Sequence, residues 1–357
     1  MTLSRVEALP SLVELASGVD ALYASSSNGP SIALFDFLIS LKQDAAQSDS
    51  PYAETVLGEQ KIHVGRSGWQ FYPVLLDHEF GRIGFSMSHH LPGVRLQIYS
   101  SFLHAVGPGK ALAWFTEFLV ALEVPTVWTL GRLDLFMDVQ GLNLSVDVRD
   151  RFRCRSRALR MHEKTAFTGF DFGSRNSGTV YARIYDKVAE QGIDNLSWIA
   201  ALWGNRYVSG NKVWRIEFEL KTKFLREVKV IFADDGLARV GELWAYSTEE
   251  WLTLRDVVQD ENRSRWPISA EWASIQQATL RGDALGIDRV RKDESIASLQ
   301  RLTPGLRGYV SAIGARRGAT DLESAIEESF KVLTHDERRS GVTMATRISD
   351  KKLKYRL

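Results

Sequence analysis

Three stretches of this chain alternate apolar and polar residues one by one. Successive side chains of a β-strand point to opposite sides, so each stretch reads as a strand with two unlike faces. In the segment 131–139, Arg132, Asp134, Phe136 and Asp138 fall on one face, and Leu133, Leu135, Met137 and Val139 on the other. In 213–221, Arg215, Glu217, Glu219 and Lys221 oppose Trp214, Ile216, Phe218 and Leu220. In 179–187, Tyr181, Arg183, Tyr185 and Lys187 oppose Val180, Ala182, Ile184 and then Asp186. One such strand is what any half-buried sheet contains. Three with apolar backs predict a shared antiparallel sheet. Its back packs on helices, and its front gathers four carboxylates near a tyrosine.

Those residue types suit phosphodiester chemistry. A phenol has a pKa near 10 and is protonated at neutral pH, so a nucleophilic Tyr185 must lose its proton before or during attack. A cation nearby stabilises the phenolate, and Arg183 and Lys187 lie on the same predicted face. Carboxylates are hard oxygen ligands that suit Mg²⁺ or Mn²⁺, which selects Asp134, Asp138, Glu217 and Glu219. Each of these acids also reads as an ordinary strand residue paired with Arg132, Arg215 or Lys221. Mg²⁺ keeps several waters, so not all four acids are expected to bind an ion directly.

Four motifs occur in a set order: R-x-D-x-x-x-D from Arg132 to Asp138, FGSRNS from Phe172, R-I-Y-D-K from Arg183, and W-R-I-E-F-E-L from Trp214. This order resembles the plasmid and phage replication initiation factors of the Rep-trans type. The conjugative relaxases of integrative elements share it. The likeness spans roughly residues 60–235. It implies a relaxase-like nickase core in which Tyr185 cuts one DNA strand at an origin, becomes linked to the 5′ phosphate and frees a 3′ hydroxyl. Tyr181 is then the substitute nucleophile, and Arg175, Ser177 and Arg183 position the phosphate. The implied partner is origin DNA, single-stranded or supercoiled, with a helicase and a second copy of the chain as further candidates. A conjugative relaxase and a non-catalytic DNA-binding regulator are the competing readings. Two features depart from the simplest members: an insertion at 190–211, and a C-terminal third, 238–357, without a counterpart.

The remaining sequence sets the frame. A chain of 357 residues, 44% apolar and 25% charged, has material for one large or two ordinary domains. The class expected is α+β. It comprises an N-terminal helical region (1–59), a sheet-containing core with helices on one face (60–237) and a mostly helical C-terminal region (238–357). Leu12, Leu15, Val19 and Leu22 follow helical spacing, a second helix is expected over 34–41, and 50–60 reads as a loop. From Ile62 to Tyr99 short apolar runs broken by glycine predict an antiparallel meander. His89 and His90 are adjacent and would face opposite ways on a regular strand, so a loop position suits them better than a shared metal. A helix is expected over 109–122. Residues 145–161 hold six arginines. As a helix this segment would align Arg149, Arg153, Arg157 and Arg160 as a phosphate-binding face. Trp198, Trp203 and Tyr207 in the insertion suit packing or base stacking. A single cysteine, Cys154, excludes an internal disulfide and a cysteine metal cluster. A run of 18 apolar residues and a signal-peptide pattern are both missing, which fits a cytoplasmic protein without membrane contact. The tail from Arg347 carries five basic residues against one Asp, a pattern of nucleic-acid-contacting tails.

Overall fold

The computed structural model describes residues 12–163, 167–191, 197–282 and 299–355. The chain divides into two compact units, Met1–Val290 and Arg291–Leu357. The strands of the first unit are β1 (Val13–Ser26), β2 (Tyr52–Leu57), β3 (Gln60–Gly65), β4 (Val74–His78), β5 (Gly81–Phe85), β6 (Val94–Ile98), β7 (Thr129–Gln140), β8 (Phe152–Cys154), β9 (Leu159–Glu163), β10 (Phe167–Phe172), β11 (Val180–Asp186), β12 (Trp214–Lys221) and β13 (Leu252–Leu254). Among the described residues, eleven of them form one sheet in the order β2-β3-β4-β5-β6-β1-β7-β12-β11-β10-β9, while β8 pairs with β13. Neighbours in the large sheet run antiparallel throughout. The expected meander is β3 to β6, and the three alternating segments are the adjacent strands β7, β12 and β11.

The early helices are α1 (Ile32–Gln47), α2 (Ser100–Val106), α3 (Pro108–Ala121), α4 (Lys187–Gln191) and α5 (Ser197–Trp203). Ser31 caps α1 by accepting from the Leu34 amide, which explains why the helix starts after the SSSNGP break. The apolar backs of the strands join one core. Leu133, Leu135, Ile216, Phe218, Ala182 and Ile184 are fully buried there. Leu38 of α1, Phe115 and Leu119 of α3, and Trp244 and Trp272 from later helices cover them. Full burial of a large side chain is worth about 1.5–3 kcal/mol, so this face fixes which side of every strand turns inward.

Several expectations are corrected. Val13–Ser26 is not a helix but β1, a strand in the middle of the sheet between β6 and β7. Three register shifts interrupt its pairing with β7, at Glu14/Ala16, Val19/Ala21 and Tyr23/Ala24. The first two each place an extra residue in β1, Leu15 and Asp20, which breaks the period of two, and the apolar positions then fall three and four apart, as in a helix. Residues 52–57 form β2 rather than a loop. The arginine-rich segment is a short 3₁₀ turn (Val146–Arg151) followed by β8 and β9, so it has no helical face. His89 and His90 are exposed in the turn between β5 and β6.

The boundary expected near 237 is displaced as well. Val240–Ala245, the turn Tyr246–Trp251, β13 and Ala270–Gln276 belong to the main core. Trp244 is fully buried, lies edge-on 5.5 Å from Phe218 behind β12, and donates its indole N–H to the Ile275 carbonyl. The second unit has the helices Leu299–Arg317, Leu322–Ser340 and Met344–Tyr355. The first two pack closely where Gly314 meets Ala325, a spot at which a Cβ would come within 2.7 Å of the Ala325 methyl. The basic tail is helical to Tyr355. Among the described residues no helix is long and apolar enough to cross a membrane.

Because Trp244 belongs to the sheet's core, Trp244→Ala should destabilise the sheet-containing unit by about 3–5 kcal/mol. Urea unfolding followed through the first unit measures this. A separate domain starting at 238 would leave that transition unchanged.

Candidate active site on the polar face of the sheet

The antiparallel register places three cross-strand rows on the polar face: Asp134, Glu219 and Tyr181; Phe136, Glu217 and Arg183; Asp138, Arg215 and Tyr185. Asp134 and Glu217, taken from two strands in the sequence, therefore share one side of the sheet. Successive rows are two residues apart, about 6.6 Å.

The third row is built on Arg215, which is fully buried. Its Nε and Nη2 donate to the two oxygens of Asp138 at 2.7 Å each, and its Nη1 donates to Asp20 Oδ1 at 2.7 Å. The guanidinium also covers the Phe136 ring at 4.2 Å. Asp138 Oδ2 accepts a further bond from the Trp203 indole at 2.8 Å. Asp20 sits at the β1 register shift, and its Oδ1 accepts from Ser100 Oγ at 3.0 Å and lies 3.1 Å from His104 Nε2. Burial opposes ionisation of Asp20, but Arg215 and then His104 outweigh it and hold the carboxyl well below its usual range.

The acid–phenol pair joins the second row to the third. Tyr185 donates its phenol proton to Glu217 Oε2 at 2.9 Å. Arg183 Nη2 donates to both Glu217 oxygens at 2.8 and 3.0 Å, and its guanidinium lies 4.7 Å from the Tyr185 ring centre. Burial, and then the Glu217 charge, raise the Tyr185 phenol well above its ordinary pKa, against the pull of Arg215 and Arg183. Lys187 is not a strand residue but starts α4. Its ammonium is 5.5 Å from the Tyr185 ring centre and bonds Glu190 at 2.6 Å. Asp186 ends the strand by accepting from the amides of Val188 and Ala189. In the first row Arg132 holds Asp134 with two bonds and Glu219 at 2.7 Å. Lys221 at 3.2 Å and Arg175 at 3.4 Å also reach Glu219. Burial lifts the Asp134 carboxyl to about 7, although Arg132 pulls it down; the charges of Glu217 and Glu219 add to the rise. A cavity of about 470 Å³ opens in front of Arg132, Asp134, Arg183 and Glu217.

The fold thus gathers Tyr185, Arg183, Lys187, Asp134, Glu217 and Glu219, but it does not make four metal ligands of the acids. Asp134 and Asp138 are four strand residues apart, about 13 Å, so one ion cannot take both. Asp138 is saturated by Arg215 and Trp203 and fully buried, and Glu219 is held by three cations. Among the described residues no group of three acids, histidines or cysteines could hold an ion. Asp134 and Glu217 line the cavity, and Mg²⁺ commonly binds through one or two carboxylates plus a substrate phosphate. Those two residues fit that mode.

The other candidates are dispersed. Arg175 and Ser177 sit in the β10–β11 loop at the Tyr181 end, about 13 Å along the strand from Tyr185. The Ser177 hydroxyl donates to Ser174 Oγ. Arg160 on β9 is opposite Asp171 and extends the second row to the sheet edge. Arg149 and Arg157 are exposed, and Arg153 turns to the Trp266 ring at 5.3 Å. Trp203 is fully buried and packs on Tyr207, whereas Trp198 is 39% exposed at the cavity. Asp20, His104 and the role of Trp203 were not evident from sequence.

No family model and no curated protein matches this chain. Among solved structures, it is similar to a rolling circle replication initiator protein from Geobacillus stearothermophilus, with a TM-score of 0.46 and 14% identity over 75% of this chain and 96% of that one.

Asp138 holds a buried cation, so its loss should act on folding rather than on metal affinity. Removing one partner of a buried pair costs about 3–5 kcal/mol. Asp138→Ala should show that loss in urea unfolding, while the Mn²⁺ concentration needed to saturate the protein stays as in wild type. A stable variant with weakened Mn²⁺ binding would restore Asp138 as a ligand.

Proposed function

We propose that this chain is a DNA-strand nickase and strand-transferase that initiates rolling-circle replication, with Tyr185 as its nucleophile. The observation that carries the reading is the Tyr185 phenol donating at 2.9 Å to Glu217, with Arg183 and Lys187 against the same ring. The order of the four sequence motifs supports the same assignment.

In the proposed reaction Tyr185 Oη attacks the phosphorus of one phosphodiester and passes its proton to Glu217. The P–O3′ bond breaks, and the 3′ oxygen leaves and takes up a proton. The products are a 5′-phosphotyrosine and a free 3′ hydroxyl. One ester replaces another, so the reverse reaction rejoins the strand without a nucleotide cofactor. A phenol with a raised pKa needs such a base. Arg183 is placed to neutralise charge on the phosphate. A Mg²⁺ or Mn²⁺ ion held by Asp134 and Glu217 would neutralise a non-bridging oxygen. The proposed substrate is single-stranded DNA or the unpaired positions of supercoiled DNA.

The test uses supercoiled DNA carrying the cognate origin, with Mn²⁺. Mass spectrometry of the wild type should place the nucleotide on Tyr185. Tyr185→Phe should form no adduct, and Tyr181→Phe should retain it, since its ring is a full two rows away and its phenol bonds Asp171. Glu217→Gln should slow adduct formation by about 10²–10⁴-fold. An adduct on Tyr181, or one that persists in Tyr185→Phe, would sink the assignment.

A further inference from the structure

The cavity has a second wall that the proposed chemistry leaves unused. Arg82 of β5, Gln97 and Tyr99 at the end of β6, Ser100 of α2 and Trp198 of α5 line it. Arg82 lies 5.3 Å from the Trp69 ring centre and 5.6 Å from that of Tyr99, so two aromatic rings hold its guanidinium. Its Nε–H is buried and has no hydrogen-bond partner within the protein. That atom is out of a ligand's reach, but Arg82 is only half-buried and lines the cavity, which leaves the rest of its guanidinium to meet an anion. Gln97 stands between Arg82 and Tyr23 in a cross-strand row, half-buried, and its amide offers a donor beside an acceptor. Trp198 presents an apolar ring that is 39% exposed.

Guanidinium, amide and exposed indole are the three groups that hold an unpaired nucleotide: one for the phosphate, one for the base edge and one for the base plane. The volume of about 470 Å³ falls in the range of small-ligand sites. A glutamine amide matches the N6–H and N7 of adenine. We infer that the cavity is a base-reading pocket for one unpaired nucleotide of the bound strand, with Arg82 on its phosphate, Trp198 stacked on its base and Gln97 selecting adenine. The inference rests on the reading of this face as a DNA-strand site and adds which residues choose the sequence.

The test measures binding, not cleavage. Full-length Tyr185→Phe protein is mixed with short random single-stranded DNA, and the bound fraction is sequenced. One position should be enriched in adenine. Adding Gln97→Leu, a change of similar volume, should erase that enrichment. Trp198→Ala, at an exposed position where folding is not at risk, should weaken affinity about tenfold, as expected for a lost stacking contact. An unchanged base profile in the Gln97→Leu protein, or unchanged affinity in the Trp198→Ala protein, overturns the pocket. A failed adduct on Tyr185 with the adenine preference intact would instead count against the nickase reading alone.

Discussion

A buried guanidinium between two carboxylates holds the polar face together. Taking Arg215 out of water costs several kcal/mol, and the cost is offset only where its donors are used and its charge is opposed. Asp138 takes two of those donors and Asp20 a third. The three residues belong to β12, β7 and β1, so this contact is satisfied in one register of the central strands. A one-residue slip would turn every side chain of a strand to the wrong face. It would leave three buried charges unpaired, in addition to exposing the apolar back. Trp203 extends the constraint to the insertion, because its indole donates to the same Asp138. Arg215 stands directly opposite Tyr185, so the row that fixes the register also fixes where the phenol lies.

Charge compensation also suits the face to its proposed task. Every acid of the first two rows is held by a guanidinium: Asp134 and Glu219 by Arg132, Glu217 by Arg183. A bare group of four carboxylates would repel a phosphodiester. On the proposed reading, an incoming phosphate would exchange with a carboxylate for an arginine already in place. Arg183 would turn from Glu217 towards the phosphate, which leaves Glu217 Oε2 to take the Tyr185 proton. That exchange would couple DNA binding to deprotonation of Tyr185. Side chains already ordered by their ion pairs lose less entropy when they switch partner than free ones would.

How much of this was legible in the sequence follows from where local pattern and tertiary contact agree. β7, β11 and β12 keep a strict period of two, because each has one face in the core and one in the polar site, and their pairing and sidedness could be read directly. β1 has the same two-sided burial, but three register shifts hide it, and Asp20 is invisible without knowing that one of them re-aims it. Asp138 illustrates a different limit. An acid that ligates a metal and one that neutralises a buried arginine have the same residue type and spacing, and only the partner across the ladder separates them. The arginine run misled for a related reason, since arginine is tolerated in helix, strand and turn alike and carries little backbone signal. The C-terminal boundary was missed because residues 240–278 fold as short pieces whose tryptophans reach back into the sheet's core.

The cavity itself is a consequence of side-chain size along those rows. On β7, β12 and β11 the polar face carries large residues. On β1 the residues paired with Asp134, Phe136 and Asp138 are Ala21, Gly18 and Ala16. Large groups therefore stop at β7, and the surface falls away towards β6, where Gln97 and Tyr99 form the next wall. A similar device flanks Tyr185 on its other side. Gly169 of β10 lies directly opposite Tyr185, and a Cβ there would come within 2.2 Å of the Ile184 carbonyl oxygen. With φ at +153° and no side chain, that glycine lets β10 close on the backbone while leaving the space beside the phenol ring clear. Small residues on β1 thus leave Glu217 at an opening, with the Tyr185 phenol bonded to it.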